Sequence, residues 1–360
     1  KWSVLELNPT KTDLYGDNRY FSYLPLNHIA ERLVVEYNCF RFGGAIYFTE
    51  SISTFSQNLI DTKPTIFFAV PRILTKFQQG ILTTMSQAHL DTVLSNPEQS
   101  EFIKKKLRAA LGLDETRALI SGAAPLSESL KEWYTSIGLP ITNGYGMTEN
   151  CAITTILFPE EKKPGSVGKA QPRVKIKIDS ETGEILMRGP FLMSGYYKRQ
   201  DLTDESISEG WLRTGDQGRL DDEGYLFITG RIKDTFKTAK GKFIVPAKIE
   251  ALFTKSKVLE QICLVGLGCP QPMLLVNLSD VGKSKEKKIL ENELIHLLKN
   301  VNSDLSNYQK ISTLIINHED WSVGNGLLTP TLKIKRNAIY QRYKTNLIQW
   351  HENNKQIIWE

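Results

Sequence analysis

The spacing of apolar residues changes character along the chain. Between residues 20 and 170, short apolar runs alternate with stretches at helical spacing. Residues 65–70 (TIFFAV) and 118–120 predict buried strands. Residues 29–42, 72–85, 100–111 and 126–137 predict helices, the last closed by Gly138 and Pro140. Strand–helix alternation implies an α/β sheet with helices on both faces. From residue 167 to 231 the period shortens. Residues 174–178 (VKIKI) alternate strictly, and 183–188 and 225–229 predict further short strands between Gly, Asp and Pro turns. Beyond Lys233 a compact α+β unit is expected, with helices over 246–255, 283–300 and 339–348 and strands over 261–266 and 272–278. The lysines of 283–288 read as a solvated helix face.

Composition narrows the function classes. The 360 residues are 41% hydrophobic and 24% charged, the balance of a globular protein with ample core material. A net charge of +5 suits anionic small molecules or contact with an acidic membrane surface, and no nucleic-acid motif accompanies it. Cys39, Cys151, Cys263 and Cys269 lack metal-ligand spacing, so a reducing, cytoplasmic setting is expected. No apolar run approaches the roughly 20 residues of a membrane span. The first 20 residues are polar and turn-rich, and the chain begins with Lys1. These features suggest a fragment or a processed chain.

Six segments carry candidate chemistry. In Asn143-Gly-Tyr-Gly-Met-Thr-Glu149, Gly144 and Gly146 would let the backbone turn and approach a ligand around Tyr145. Tyr145 offers a flat face to a base, Thr148 a hydroxyl to a phosphate, and Glu149 hard oxygens to Mg2+. The alternative is a strand-end turn with a capping Thr and a solvated Glu. Gly122, Ala123 and Ala124 in SGAAPL are small enough to lie against adenine, or form an ordinary strand-to-helix loop. In WLRTGD, Asp216 follows a Thr-Gly turn and could grip a vicinal diol. In GRIKDTF, Arg231 could reach ribose or phosphate, and Lys233 would stand at an interdomain hinge; a charged linker is the competing reading. Gly241 in KGKFIVP supplies a turn before a helix. In LTPTLKIKR, one lysine could approach an attacking carboxylate and a phosphate together, or the cluster is a basic helix start.

Together these pieces, with YLPLNHIAER, FFAVPRILTKFQQGI and KPGSVGKA, resemble the adenylate-forming superfamily of acyl- and aryl-CoA synthetases, luciferases and adenylation domains. Within it they are most similar to long-chain fatty-acid–CoA ligases. The resemblance covers nearly the whole chain. It implies that ATP, Mg2+, CoA and a fatty acid are used in two half-reactions. A carboxylate attacks the α-phosphate to give acyl-AMP and pyrophosphate; the small C-terminal domain then rotates, and the CoA thiol takes the acyl group.

By motif, Gly122, Ala123, Ala124 and Tyr145 would hold adenine, with Asn143 near its amino group. Thr148 would contact the α-phosphate and Glu149 the metal. Asp216 and Arg231 would hold ribose, Lys233 would be the hinge, and Gly241 would line the pantetheine tunnel. Lys333 would organise the first half-reaction, and His28 and Gly146 would border the acyl site. Cys151 is not assigned as a nucleophile. The implied architecture is the C-terminal part of a large AMP-binding domain over 1–231, β-rich from 167, followed by a small mobile α+β lid over 232–360. The family's Ser/Thr/Gly-rich phosphate loop would precede residue 1. A carrier-protein-loading or aryl-acid adenylating enzyme, or an inactive remnant that binds nucleotide or acyl-CoA, are the alternatives. Peripheral membrane contact is compatible with a lipid substrate.

Overall fold

The computed structural model describes residues 16–254 and 256–360. Residues 1–15, within the stretch read above as polar and turn-rich, lie outside them, as does Lys255 at the end of the expected helix 246–255. The described chain forms two compact units. One runs through Thr214 and takes in Gly218–Ile228; the other comprises Gly215–Gln217 and Thr229–Glu360.

The first unit is built on a seven-stranded sheet in the order β2-β1-β3-β4-β5-β6-β7. Its strands are β1 (Arg19–Ser22), β2 (Ala45–Phe48), β3 (Ile66–Phe68), β4 (Ala118–Gly122), β5 (Ile141–Tyr145), β6 (Thr155–Leu157) and β7 (Lys169–Ala170). Strands β2, β1, β3, β4 and β5 are parallel, and β6 and β7 are antiparallel additions. Alternate residues of each central strand enter opposite cores, because side chains alternate along a strand. Phe21, Phe67, Leu119 and Ile141 pack with helices Phe55–Thr62, Pro71–Thr84, Gln87–Leu94 and Glu128–Ser136. Tyr20, Ile66, Phe68, Ala118 and Ile120 pack on the other face with Ala30, Val34 and Val35. The expected two-sided α/β sheet is present.

Three helices of this unit, Phe55–Thr62, Gln87–Leu94 and Gln200–Ser206, escaped the sequence pattern. Phe55–Thr62 buries only Leu59 and Thr62, and Gln87–Leu94 buries only Leu90, so neither offers a long apolar stripe. Ser86 caps the second by accepting from the His89 N–H at 3.3 Å. The helix expected over 29–42 is present but is π-helical from Glu31 to Tyr37 before becoming α-helical over Asn38–Phe42. Wide turns of this kind are rare and concentrate at functional sites.

Glu31 on that π-helical segment is 1% exposed. The Leu24 N–H donates to its Oε2 at 3.3 Å. Burial, reinforced by Glu36, pushes its carboxyl up from the ordinary 4.5 to about 7, against hydrogen bonds from Ser22 and Leu24. A carboxyl with a raised folded-state value binds its proton more tightly when folded. Its stabilisation is therefore complete below pH 4.5 and is lost as pH rises through 7. The expected result is a fall on the order of 3 kcal/mol in the opening free energy of residues 19–42 across that window. Hydrogen exchange reads it directly, and Glu31→Gln should flatten the slope. Equal slopes in the two proteins would remove Glu31 as its source.

A second sheet runs β10-β11-β9-β8, with β12 paired to β11; its strands are β8 (Lys175–Ile178), β9 (Glu184–Arg188), β10 (Ile207–Ser208), β11 (Trp211–Leu220) and β12 (Leu226–Arg231). This is the β-rich region expected from 167 onward.

The second unit carries the hairpin β13 (Phe236–Lys237) and β14 (Phe243–Ile244) and a four-stranded sheet. The sheet consists of β15 (Leu259–Val265), β16 (Met273–Leu278), β17 (Leu314–Ile316) and β18 (Ile357–Trp359) in sequential order. Every residue of β16 is buried. Leu274 and Val276 meet Leu290, Leu294 and Leu298 of helix Lys287–Ser303, spaced four apart as one helical stripe requires. Met273 and Leu275 meet Trp321, Ile339, Tyr343 and Trp350 on the other face.

The helix expected over 283–300 is two pieces. Asp280–Lys283 is capped by Ser279, which accepts from the Gly282 N–H at 3.1 Å, and Lys287–Ser303 starts afresh. Lys283 and Lys285 pair with Asp320 and Glu293. The helix expected over 339–348 is likewise divided, into Arg336–Tyr343 and Leu347–Glu352, and β18 rather than a helix closes the chain. Among the described residues no helix is long and apolar enough to cross a membrane.

Candidate functional site

The strongest geometric fact is a strand pairing. β4 and β5 are parallel neighbours in register, Ser121 opposite Asn143 and Gly122 opposite Gly144. The SGAAP and NGYGMTE segments therefore leave the sheet side by side at the carboxyl ends of two parallel strands. That edge is where open α/β sheets bind ligands. A Cβ on Gly122 would sit 2.5 Å from the Gly144 carbonyl oxygen, so the close approach requires glycine there. Ala123 holds a left-handed φ of +66, unusual for a residue with a side chain. Strain of this kind collects at ligand sites.

The expectation for Gly144 and Gly146 needs correction. Asn143, Gly144 and Tyr145 are still within β5, and neither glycine has a positive φ. Gly146 is required by packing, because its Cβ would stand 2.3 Å from the Ala152 backbone. The turn itself is a single 3-10 turn, Thr148–Asn150. Buried Asn150 fixes it, accepting from the Met147 N–H at 3.0 Å and donating to the Ile153 carbonyl at 3.2 Å. Thr148 is thereby presented to solvent. Cys151 follows at a left-handed φ of +56, and burial pushes its thiol up, which disfavours the nucleophilic thiolate.

Glu149 is held by a residue that sequence reasoning missed. The Tyr196 hydroxyl donates to its Oε1 at 2.7 Å. Among the described residues no group of three or more His, Cys, Asp or Glu is placed to hold a metal. A lone carboxylate nevertheless fits Mg2+, which commonly takes one or two protein carboxylates and completes its shell with water and substrate phosphate.

His28 belongs to the loop that leaves the carboxyl end of β1. Its Nδ1 accepts from the Ala30 N–H at 3.2 Å. β1 and β3 flank the point where the strand order reverses, and the Val70 N–H donates to the Tyr23 hydroxyl across it at 3.1 Å. His28, Ala123–Ala124 and residues 146–149 thus follow the carboxyl ends of β1, β4 and β5, where Gly122 and residues 143–145 are the last strand positions, on the same edge of one sheet.

The remaining candidates belong to the second unit. Asp216 is 4% exposed, and the Arg231 Nε donates to its Oδ1 at 2.7 Å. No chain reversal precedes Asp216: Gly215, at φ +70, lies inside the ten-residue β11. Burial and then the Arg231 guanidinium push the Lys333 ammonium below its ordinary value, while Asp216 acts in the opposite direction. These three residues share one electrostatic environment.

Lys333 does not begin a helix. It sits on a tight turn in which the Thr329 N–H donates to the Lys333 carbonyl at 2.8 Å and the Lys333 N–H to Thr329 Oγ1 at 3.1 Å. The helix starts at Arg336, whose guanidinium grips Glu250 at 2.8 Å through both terminal nitrogens. An open depression of about 430 Å3 is lined by Arg231, Asp234 and residues 334–338.

Lys233 is exposed on the single 3-10 turn Ile232–Asp234. Gly241, at φ +76, turns the β13–β14 hairpin, with its N–H on the Thr238 carbonyl at 2.9 Å. A Cβ there would make only an ordinary contact, 3.8 Å from Lys237 Cε, so the backbone angle rather than crowding selects glycine.

Tyr196 lies 47 positions from Glu149 and had no local sequence signal. Arg336 and Glu250 had none, being 86 positions apart.

The AMP-binding enzyme family matches residues 2–197, and the AMP-binding enzyme C-terminal domain matches residues 233–354. Long-chain-fatty-acid–CoA ligase 6 of Rattus norvegicus is 32% identical over 94% of this chain and 54% of its own length. The long-chain-fatty-acid–CoA ligase ACSBG2 of Xenopus laevis is 30% identical over 92% of this chain and 54% of its own. The adenylation domain of carboxylic acid reductase from Segniliparus rugosus, solved with AMP and a co-purified carboxylic acid, superposes with a TM-score of 0.74. It is 25% identical and covers 93% of this chain and 55% of its own. O-succinylbenzoate CoA synthetase of Bacillus subtilis shares the fold at a TM-score of 0.69 and 23% identity, over 94% of this chain and 63% of its own. This chain spans about half the length of the curated relatives it matches. With both of its units matched in order, the chain belongs to the AMP-binding, adenylate-forming enzyme family.

Proposed function

We propose that this chain carries catalytic residues of an ATP-dependent long-chain fatty-acid–CoA ligase. The supporting observation is the register of β4 and β5, which sets small residues for adenine beside a hydroxyl and a carboxylate for the phosphates. Gly122, Ala123, Ala124 and Tyr145 hold the base, and Asn143 reads its amino group. Thr148 binds the α-phosphate. Glu149 ligates Mg2+, whose charge offsets the charge developing on the phosphates. Asp216 and Arg231 hold the ribose. Lys333 brings the fatty carboxylate and the α-phosphate together. The carboxylate oxygen bonds to phosphorus as the bond to pyrophosphate breaks.

In the second half-reaction the CoA sulfur bonds to the acyl carbon, AMP leaves, and the thiol proton goes to solvent. Lys233 serves as the pivot between the two steps, and Gly241 lines the path of pantetheine. His28 and Gly146 border the acyl group. A second reading, an adenylation domain that hands its acid to a carrier protein, draws support from the carboxylic acid reductase likeness.

Palmitate-dependent pyrophosphate release and palmitoyl-CoA formation, measured on this chain and on the full-length gene product, test the reading. The ligase reading expects both products from the full-length protein. Pyrophosphate release without CoA thioester would favour carrier loading. Absence of both, with nucleotide or acyl-CoA binding retained, would mean a binding remnant.

A further inference from the structure

We propose that Tyr196 is the positioning residue for Glu149, fixing its carboxylate in the orientation that a nucleotide-bound divalent cation requires; this rests on the reading of Glu149 as the metal ligand.

One short segment holds Glu149 at two points. The Met193 N–H donates to the Glu149 carbonyl at 2.7 Å, and three residues later the Tyr196 hydroxyl donates to Oε1, also at 2.7 Å. Tyr196 is itself fixed from behind. Its N–H donates to Thr203 Oγ1 at 2.9 Å, and Thr203 Oγ1 donates onward to the Arg199 carbonyl at 3.0 Å. Gly195, at φ +151, allows the contact, since a Cβ there would stand 2.9 Å from the Thr203 side chain. Thr203 belongs to helix Gln200–Ser206, so Tyr196 is tied to a regular element. The result is a run of contacts from Thr203 through Tyr196 to Glu149.

A carboxylate can only accept, so the phenol proton must point at Glu149. With one acceptor site of Oε1 taken by the phenol, the carboxylate plane is fixed and Oε2 is the less occupied oxygen for a cation. Ligating carboxylates are ordinarily oriented by such partners, whose loss weakens metal binding by about 10- to 100-fold. The Met193 contact alone would suffice to tie the loop to the turn. The Tyr196 contact acts on the carboxylate itself, which is what a metal ligand needs and a loop anchor does not.

The test is Mn2+ binding, read by electron paramagnetic resonance, to the full-length protein loaded with a non-hydrolysable ATP analogue. Tyr196→Phe should weaken Mn2+ binding by about 10-fold or more. It should raise the Mg2+ concentration for half-maximal pyrophosphate release by a similar factor, with kcat at saturating Mg2+ little changed. In a Glu149→Gln background the same substitution should add nothing, because the two act as one unit. Wild-type Mn2+ affinity in Tyr196→Phe, or independent losses in the double variant, would overturn the proposal while leaving the ligase reading intact. If Glu149→Gln itself leaves Mn2+ affinity unchanged, the metal assignment falls and this proposal with it. Should Tyr196→Phe fail to fold, Thr203→Val, which removes the acceptor for the Tyr196 N–H, is expected to weaken Mn2+ binding in the same direction, and an unchanged affinity there would count equally against it.

Discussion

Lys333→Ala is expected to slow acyl-AMP formation by a factor on the order of 100 or more, yet leave thioester formation from supplied acyl-AMP near the wild-type rate. Two anions about 4 Å apart repel by roughly 4 kcal/mol at an effective dielectric of 20. A fatty carboxylate approaching an α-phosphate meets that repulsion, and an ammonium between them reverses it. On the proposed reading, its surroundings suit Lys333 to this role. Its turn is closed by two hydrogen bonds to Thr329, and the preceding Leu332 adopts a left-handed φ of +62 to make it. Burial and Arg231 lower its proton affinity, so part of its hydration is already lost before substrate arrives. The second half-reaction has no such pair of anions to reconcile. Separate assays of pyrophosphate release and of thioester formation distinguish the steps, and equal losses in both would remove Lys333 from this role.

Arg336→Ala should produce the largest loss of stability, about 3 kcal/mol in the second unit. Arg336 and Glu250 side chains are 17% and 14% exposed, and the pair is bidentate. Arg336 also donates to the Leu264 carbonyl at 3.0 Å. Truncation leaves Glu250 charged and half its acceptors unmet in a site largely closed to water, which costs more than the pair itself contributes. Arg336→Met with Glu250→Leu removes both charges and should recover most of the loss. Hydrogen exchange over residues 246–265 and 336–343 measures it. A change under about 1 kcal/mol for the single variant would mean that the pair is effectively a surface ion pair.

Some of this protein was fixed by local sequence. The apolar run at 65–70 and the alternation at 174–178 depend only on which faces of a strand are covered, and both became strands close to their expected bounds. Helix Pro71–Thr84 shows its start through proline at the first turn and its face through Leu74 and Ile81. The candidate segments could also be picked out, because glycine, small residues and a carboxylate at fixed spacing can be read without any tertiary information. Sequence alone therefore determined the α/β class, the order of the candidate motifs and the family.

The tertiary structure decided what depends on partners distant in the chain. The parallel register of β4 and β5, which brings residues 122 and 144 face to face, arises from a sheet and not from either strand. Gly146 proved to be a packing residue because the Ala152 backbone folds over it. Glu149 gained Tyr196 from 47 positions away, and Arg336 gained Glu250 from 86. Burial of Glu31 at the core of the first unit, rather than exposure on a helix face, likewise follows from the sheet beneath it. A charged or polar side chain declares its chemistry in the sequence, but its partner and its protonation are set by whichever groups the fold places within a few ångströms.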